Sequence, residues 1–103
     1  MTERGFKMIV ISLKNEGDKY SVTGNGHADY NPGQDIICSA VSMLFYAFAG
    51  YLINKDIECK YNLDSGNSKI EAVGDAKECF DMIKIGFLQL ESKYPKNVKV
   101  VLT

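Results

Sequence analysis

Between residues 57 and 73 the chain reads IECKYNLDSGNSKIEAV. Ile57, Cys59, Tyr61 and Leu63 alternate with Glu58, Lys60 and Asn62, so a strand here has one apolar and one polar face. The DSGN stretch at 64–67 carries the residues of a hairpin turn, and SKIEAV at 68–73 alternates again as the returning strand. A sheet with one polar face has to be covered on the other, and the rest of the chain offers helices for that purpose.

Upstream, FKMIVISL at 6–13 is almost wholly apolar and reads as a strand with neighbours on both sides. EGDK at 16–19 is a turn, and YSVTGNG at 20–26 is a second strand that ends among glycines, Gly24 and Gly26. A long apolar stretch from Ile36 to Ile53 predicts a helix ending near Asn54 to Asp56. It has the length of a short membrane span. Asp35 and Lys55 flank it closely, however, and Cys38, Ser39, Ser42, Tyr46 and Gly50 interrupt it, so it is read as a core helix. Downstream of the hairpin, Asp75 is expected to cap a second helix. Its stripe of Cys79, Phe80, Ile83, Gly86, Phe87, Leu90 and Tyr94 falls at spacings of three and four. Pro95 stops that helix, and NVKVVL at 97–102 supplies a last strand. The expected fold is α+β: one domain over 1–103, element order β-β-α-β-β-α-β, a two-layer sandwich with both helices on one face of a mostly antiparallel sheet. Alternation alone does not say which strand neighbours which.

Composition narrows the function classes. The 103 residues are 46% hydrophobic and 24% charged, with 12 basic against 13 acidic side chains, as in a folded domain with a single core. No basic block argues for nucleic acid or an anionic membrane, so neither is expected as a partner. The opening MTERGFKMIVIS has charges before a short apolar run and reads as a strand start rather than a signal peptide. Cys38, Cys59 and Cys79 are odd in number and form no C-x-x-C pair. Neither a disulfide framework nor a metal site is expected, no cofactor is implied, and a reducing cytoplasm is the default.

The stretch GHADYNPGQDIICSAVS, residues 26–42, holds the one histidine of the chain and, eleven positions on, a cysteine at a helix start. With Asp35 as N-cap, Cys38 is the third helical residue, close to the positive end of the helix dipole and to unpaired amide donors. Such surroundings favour the thiolate, the nucleophilic form of cysteine, and the same amides can donate to an oxyanion. His27 reaches the sulfur as general base if the loop between them folds back. Gly24, Gly26 and Gly33 give that loop close approach to a substrate backbone. Each residue also has an ordinary reading: His27 as a polar loop residue, Cys38 as small core filling, Asp35 as a cap alone, and Ser42 as a hydroxyl bonded back to its own helix. Cys59 and Cys79, on inward stripes, are read as core. Composition and spacing leave both readings open.

The compound motif Gly26-His27-Ala28, then Gly33-Gln34-Asp35-Ile36-Ile37-Cys38, then Ala40-Val41-Ser42 resembles the ribosomal-processing cysteine protease family, Prp, over the full chain. The resemblance implies a small two-layer domain, typically a homodimer. It also implies an activity that removes a short N-terminal extension from one bacterial large-subunit ribosomal protein, the twenty-seventh. Carried over by position, Cys38 matches the nucleophile and His27 the base. Asp35 and Ser42 match supporting positions, Gly26 the glycine before the histidine, and Ala28 and Gly33 the substrate loop. Asp35 either orients His27 or only caps the helix. Ile37 and Ser39 are mild departures; a slightly shorter loop containing Pro32 bears on cleavage preference. Related enzymes process phage capsid or scaffold proteins, which leaves a phage substrate as an alternative for the same chemistry. A non-catalytic dimeric module that grips a ribosomal protein tail and a thiol redox sensor are the alternatives of other classes.

Overall fold

The computed structural model describes residues 8–26, 35–64 and 66–103. Seven elements follow in order: β1 (Ile9–Glu16), β2 (Lys19–Asn25), α1 (Asp35–Asn54), β3 (Glu58–Asp64), β4 (Asn67–Val73), α2 (Lys77–Lys93) and β5 (Val98–Leu102). The expected α+β order is the observed one. The strands form a single sheet in the order β3-β4-β2-β1-β5. Three of its pairings are antiparallel and only β1 with β5 is parallel.

One face of the sheet is covered. Ile9, Ile11 and Leu13 of β1, Tyr20 and Val22 of β2, Ile70 and Ala72 of β4 and Val98 of β5 are buried beneath the helices. Ile37, Val41, Phe45, Phe48, Ala49 and Leu52 come down from α1, and Cys79, Phe80, Ile83 and Phe87 from α2. The helical spacing of both sets explains why each helix turns one stripe to the sheet. Aromatic contacts, measured between ring centroids, join the two helices, Phe45 to Phe87 at 5.5 Å and Phe48 to Phe80 at 6.2 Å, and Tyr20 to Phe80 at 5.0 Å ties helix to sheet. Gly24 matters to this packing, because a Cβ there would lie 2.9 Å from the Phe45 ring. The opposite face of the sheet carries Lys14, Glu16, Lys19, Lys69, Glu71 and Lys60 and stays open to solvent.

Three details differ from the sequence reading. β1 runs on to Glu16, so the first turn is only Gly17 and Asp18, with Gly17 at φ 61°. The Asn15 side-chain amide secures it by donating to the Gly17 and Lys19 carbonyls at 3.0 and 3.1 Å. The expected strand start at Phe6 lies outside the described residues. α2 is not capped by Asp75: its N-cap is the buried Ala76, with no side-chain hydrogen bond. Burial of Ala76 against the core decides that end, and Phe80 N–H bonds to the Ala76 carbonyl at 2.9 Å. Finally, β3 is an edge strand. Tyr61, on the inward stripe, is 52% exposed at this edge.

The apolar stretch of α1 is a one-sided core helix. It is long and apolar enough to cross a membrane, yet only 33% of its window is buried. Ile36, Met43, Tyr46 and Ile53 point away from the sheet, and no charged residue occurs from Ile36 to Asn54. The helix ends in a Schellman arrangement: Asp56 N–H bonds to the Ile53 carbonyl at 3.1 Å and Ile57 N–H to the Leu52 carbonyl at 2.9 Å. Asp56 takes φ 58°, the left-handed conformation that glycine adopts at little cost. Asp56→Gly is therefore expected to raise the unfolding free energy by about 0.5–1 kcal/mol. Urea denaturation measures this, and a variant less stable than wild type would contradict it.

The two sheet edges are finished differently. On β5 the Val98 N–H bonds to the Tyr94 carbonyl at 3.0 Å, and the Val100 N–H donates to the Glu91 carboxylate at 3.0 Å. Helix α2 and its C-cap thereby occupy the outward donors at Val98 and Val100. No such bond covers β3 among the described residues.

Candidate active site

Five side chains of α1, Cys38, Val41, Ser42, Phe45 and Tyr46, follow one another at helical spacing and form one wall of a cavity of about 360 Å³. The end of the β3–β4 hairpin forms the facing wall, with Leu63, Asp64, Gly66, Asn67 and Ser68. Gly24 and Gly26 from the end of β2, with Ile9, complete the lining. The sheet order brings these pieces together, because β4 lies between β2 and β3 and carries the hairpin end to the end of β2. Gly26 N–H bonds to the Gly66 carbonyl at 3.0 Å and joins the two strand ends. Gly26 has φ 105°, and a Cβ there would collide with the Met8 carbonyl oxygen. This position admits only glycine.

Of the residues singled out in the sequence, Cys38, Ser42 and Gly26 meet at this one cavity. His27, Ala28, Pro32 and Gly33 lie outside the described residues. Asp35 is the first residue of α1, and its side chain lies outside them too. Because the helix begins at Asp35, Cys38 is its fourth residue, one place later than expected and still in the first turn. The three thiols are in different surroundings. Cys38 is half-buried and opens on the cavity. Cys79 is buried in the core, and that burial pushes its thiol pKa up, which disfavours the nucleophilic thiolate. Cys59 is half-buried on β3 and packs against the core.

Sequence reasoning missed Tyr46 and the whole hairpin wall. Tyr46 sits eight positions beyond Cys38 and four beyond Ser42, a spacing that already places it on their helical face. Nothing in the sequence signals the contribution of Leu63 or Ser68, because it depends on which strands are neighbours.

A wall of helix side chains bearing a thiol in the first turn, facing a rim of backbone and small residues, suits attack on a carbonyl of an extended chain. A model of the cysteine protease Prp family matches residues 8–99. The chain belongs to the cysteine protease Prp family. It is accordingly a peptide hydrolase, and the architecture described above is that of Prp structures. The essential ribosomal processing protease Prp of S. aureus, in complex with a substrate peptide, superposes with a TM-score of 0.79 at 21% identity, covering 93% of this chain and 100% of that one. The same S. aureus protease with a covalently linked product peptide gives 0.79 at 23% identity over the same shares. A protein from Streptococcus mutans gives 0.69 at 21% identity, with 93% of this chain and 96% of that chain covered. At these identities the likeness is one of fold. No match is found among curated proteins.

Proposed function

We propose that this Prp-family chain is a thiol endopeptidase that removes a short N-terminal extension from a bacterial large-subunit ribosomal protein, with Cys38 as nucleophile and His27 as base. The observation that carries the assignment is the position of Cys38: in the first turn of α1, half-buried, and open to a cavity shared with Ser42 and Gly26. Membership of the family supports the reaction class. The S. aureus structures, with a substrate peptide and with a covalently linked product peptide, support a peptide in this kind of site.

In this reading His27 takes the thiol proton as the Cys38 sulfur attacks the scissile carbonyl carbon, and a C–S bond forms as the carbonyl π electrons move to oxygen. Amides of the first turn of α1 hold that oxyanion. Collapse breaks the C–N bond, and His27 delivers the proton to the departing amine. Water then attacks the thioester with His27 as base, releasing the new carboxylate and returning the thiol. Asp35 and Ser42 support the pair, Asp35 by orienting His27 as well as by its place at the head of the helix. Ala28 and Gly33 belong to the loop that meets the substrate.

The test is mass spectrometry of a ribosomal-protein precursor after treatment with wild type and with Cys38→Ala. Loss of the extension with wild type alone supports the reading. Cleavage by both, or binding without cleavage by both, overturns it. A phage capsid or scaffold precursor run in parallel separates the two substrate sources.

The same reading makes the protein a cytoplasmic homodimer. The uncharged outer face of α1, with Met43 64% exposed beside Ile36, supports self-association of this kind, since such patches on soluble proteins mark interfaces. Met43 does not line the cavity. Met43→Glu is thus expected to shift the protein to monomer in sedimentation equilibrium; a wild type that sediments as monomer at every concentration would remove the dimer.

A further inference from the structure

The hydrogen-bond phase of the sheet identifies which backbone groups of β3 face outward. Gly26 N–H bonds to the Gly66 carbonyl and Gly74 N–H to the Asp18 carbonyl, at 3.0 and 2.9 Å. Even-numbered residues of β4 therefore bond to β2. Asn67, Lys69, Glu71 and Val73 bond to β3, where they pair with Asp64, Asn62, Lys60 and Glu58. That leaves Cys59, Tyr61 and Leu63 directing N–H and C=O away from the sheet, and among the described residues none of these amides has a partner. The outward donors at Val98 and Val100 on the opposite edge are both taken, by Tyr94 and Glu91. Among the described residues, β3 is the edge none of whose outward donors is taken.

This edge leads into the cavity. α1 joins β3 through the turn at Asp56, so the two run in opposite directions and the Cys38 end of the helix lies by Leu63. Along the flank of α1 that borders the hairpin, Ser42, Tyr46 and Ile53 recur at spacings of four and seven, all exposed. The exposed ring of Tyr61 lies on the same inward side of β3. A ledge of apolar side chains thus runs beside unpaired strand groups and ends at a thiol.

We propose that the substrate polypeptide lies along β3 as an added strand, paired to the backbone of Cys59, Tyr61 and Leu63, with alternate side chains resting on Tyr46, Ile53 and Tyr61. The inference rests on the proteolytic reading of the Cys38 cavity and extends it to the way the chain is gripped. Backbone pairing supplies affinity that is indifferent to sequence, while the ledge selects an extended segment with apolar residues at every second position. The other possible occupant, β3 of a second copy, is distinguished by the test.

The experiment uses amide hydrogen exchange on Cys38→Ala, which holds substrate without turnover, with and without a synthetic peptide spanning the N-terminal extension of the ribosomal protein. Exchange at Cys59, Tyr61 and Leu63 is expected to slow about tenfold or more on peptide addition. Lys60 and Asn62, already in the ladder, stay unchanged. In parallel, Tyr61→Pro removes one outward donor and leaves the bonds to β4 intact. It is expected to weaken peptide binding about tenfold beyond Tyr61→Ala. Peptide bound without the alternating protection overturns the edge while leaving the protease reading standing. Protection that needs no peptide and grows with protein concentration assigns the edge to a second copy and overturns the proposal. Absence of any peptide binding or cleavage overturns the substrate reading itself, and the edge with it.

Discussion

Cys38→Ala is expected to lower the rate of peptide cleavage by about 10⁴-fold or more, with peptide affinity within a few-fold of wild type. In the proposed mechanism the sulfur forms the covalent intermediate, and among the described residues no other thiol lines the cavity. Ser42 lies one turn away on the same face, but a hydroxyl without an equally placed base is a far weaker nucleophile. Cys59 and Cys79 do not line the cavity. The substitution removes one half-buried atom and leaves the helix with a residue of higher helical propensity, so stability is expected to change little. Single-turnover kinetics on a precursor peptide, beside a binding isotherm, separates loss of chemistry from loss of affinity. A variant that retains cleavage within tenfold of wild type would transfer the nucleophile to another residue.

Phe48→Ala is expected to cost about 3–5 kcal/mol of stability, the range for emptying a buried aromatic site. Phe48 has no exposure, sits at the middle of α1, and meets Phe80 of α2, which in turn meets Tyr20 of β2. Removing its ring empties a fully buried site in the core where α1 meets α2. A domain of this size has roughly 5–15 kcal/mol in total, so the loss takes a large share of it. The midpoint of thermal unfolding is expected to fall by roughly 15–30 °C. A loss below about 1 kcal/mol in urea denaturation would mean that the two layers do not meet at this residue.

These two residues also mark what the sequence makes legible. Phe45, Phe48 and Leu52 of α1 recur at helical spacing, as do Phe80, Ile83 and Phe87 of α2, and the 57–73 segment alternates; periodicity of this kind records which way a side chain faces. It therefore gave the elements, their order and the two layers. It does not record which strands are adjacent, since that depends on contacts between residues distant in the chain. The parallel pairing of β1 with β5, the place of β4 beside β2 and the hairpin wall of the cavity were hidden for that reason. Tyr61 shows the limit of alternation even within a strand: its phase is inward, but an edge position leaves it half uncovered. At Asp75 a favourable capping residue gave way to burial of its neighbour Ala76, where packing outweighed a local preference. Cys38, Ser42 and Gly26 were legible as a cluster because a compound motif carried them. Tyr46 and Leu63 belong to no motif, and only the folded sheet unites them with the thiol.

The carboxylate of Glu91 has a consequence beyond its own helix. End-to-end growth of sheets into a filament needs a receptive side on each flank of every unit, so that one copy can be added after another without limit. By taking the outward amide of Val100, Glu91 obstructs growth along β5. Pairing of β3 with β3 of a second copy would therefore use the open flank of both molecules and close as a dimer rather than grow into a polymer.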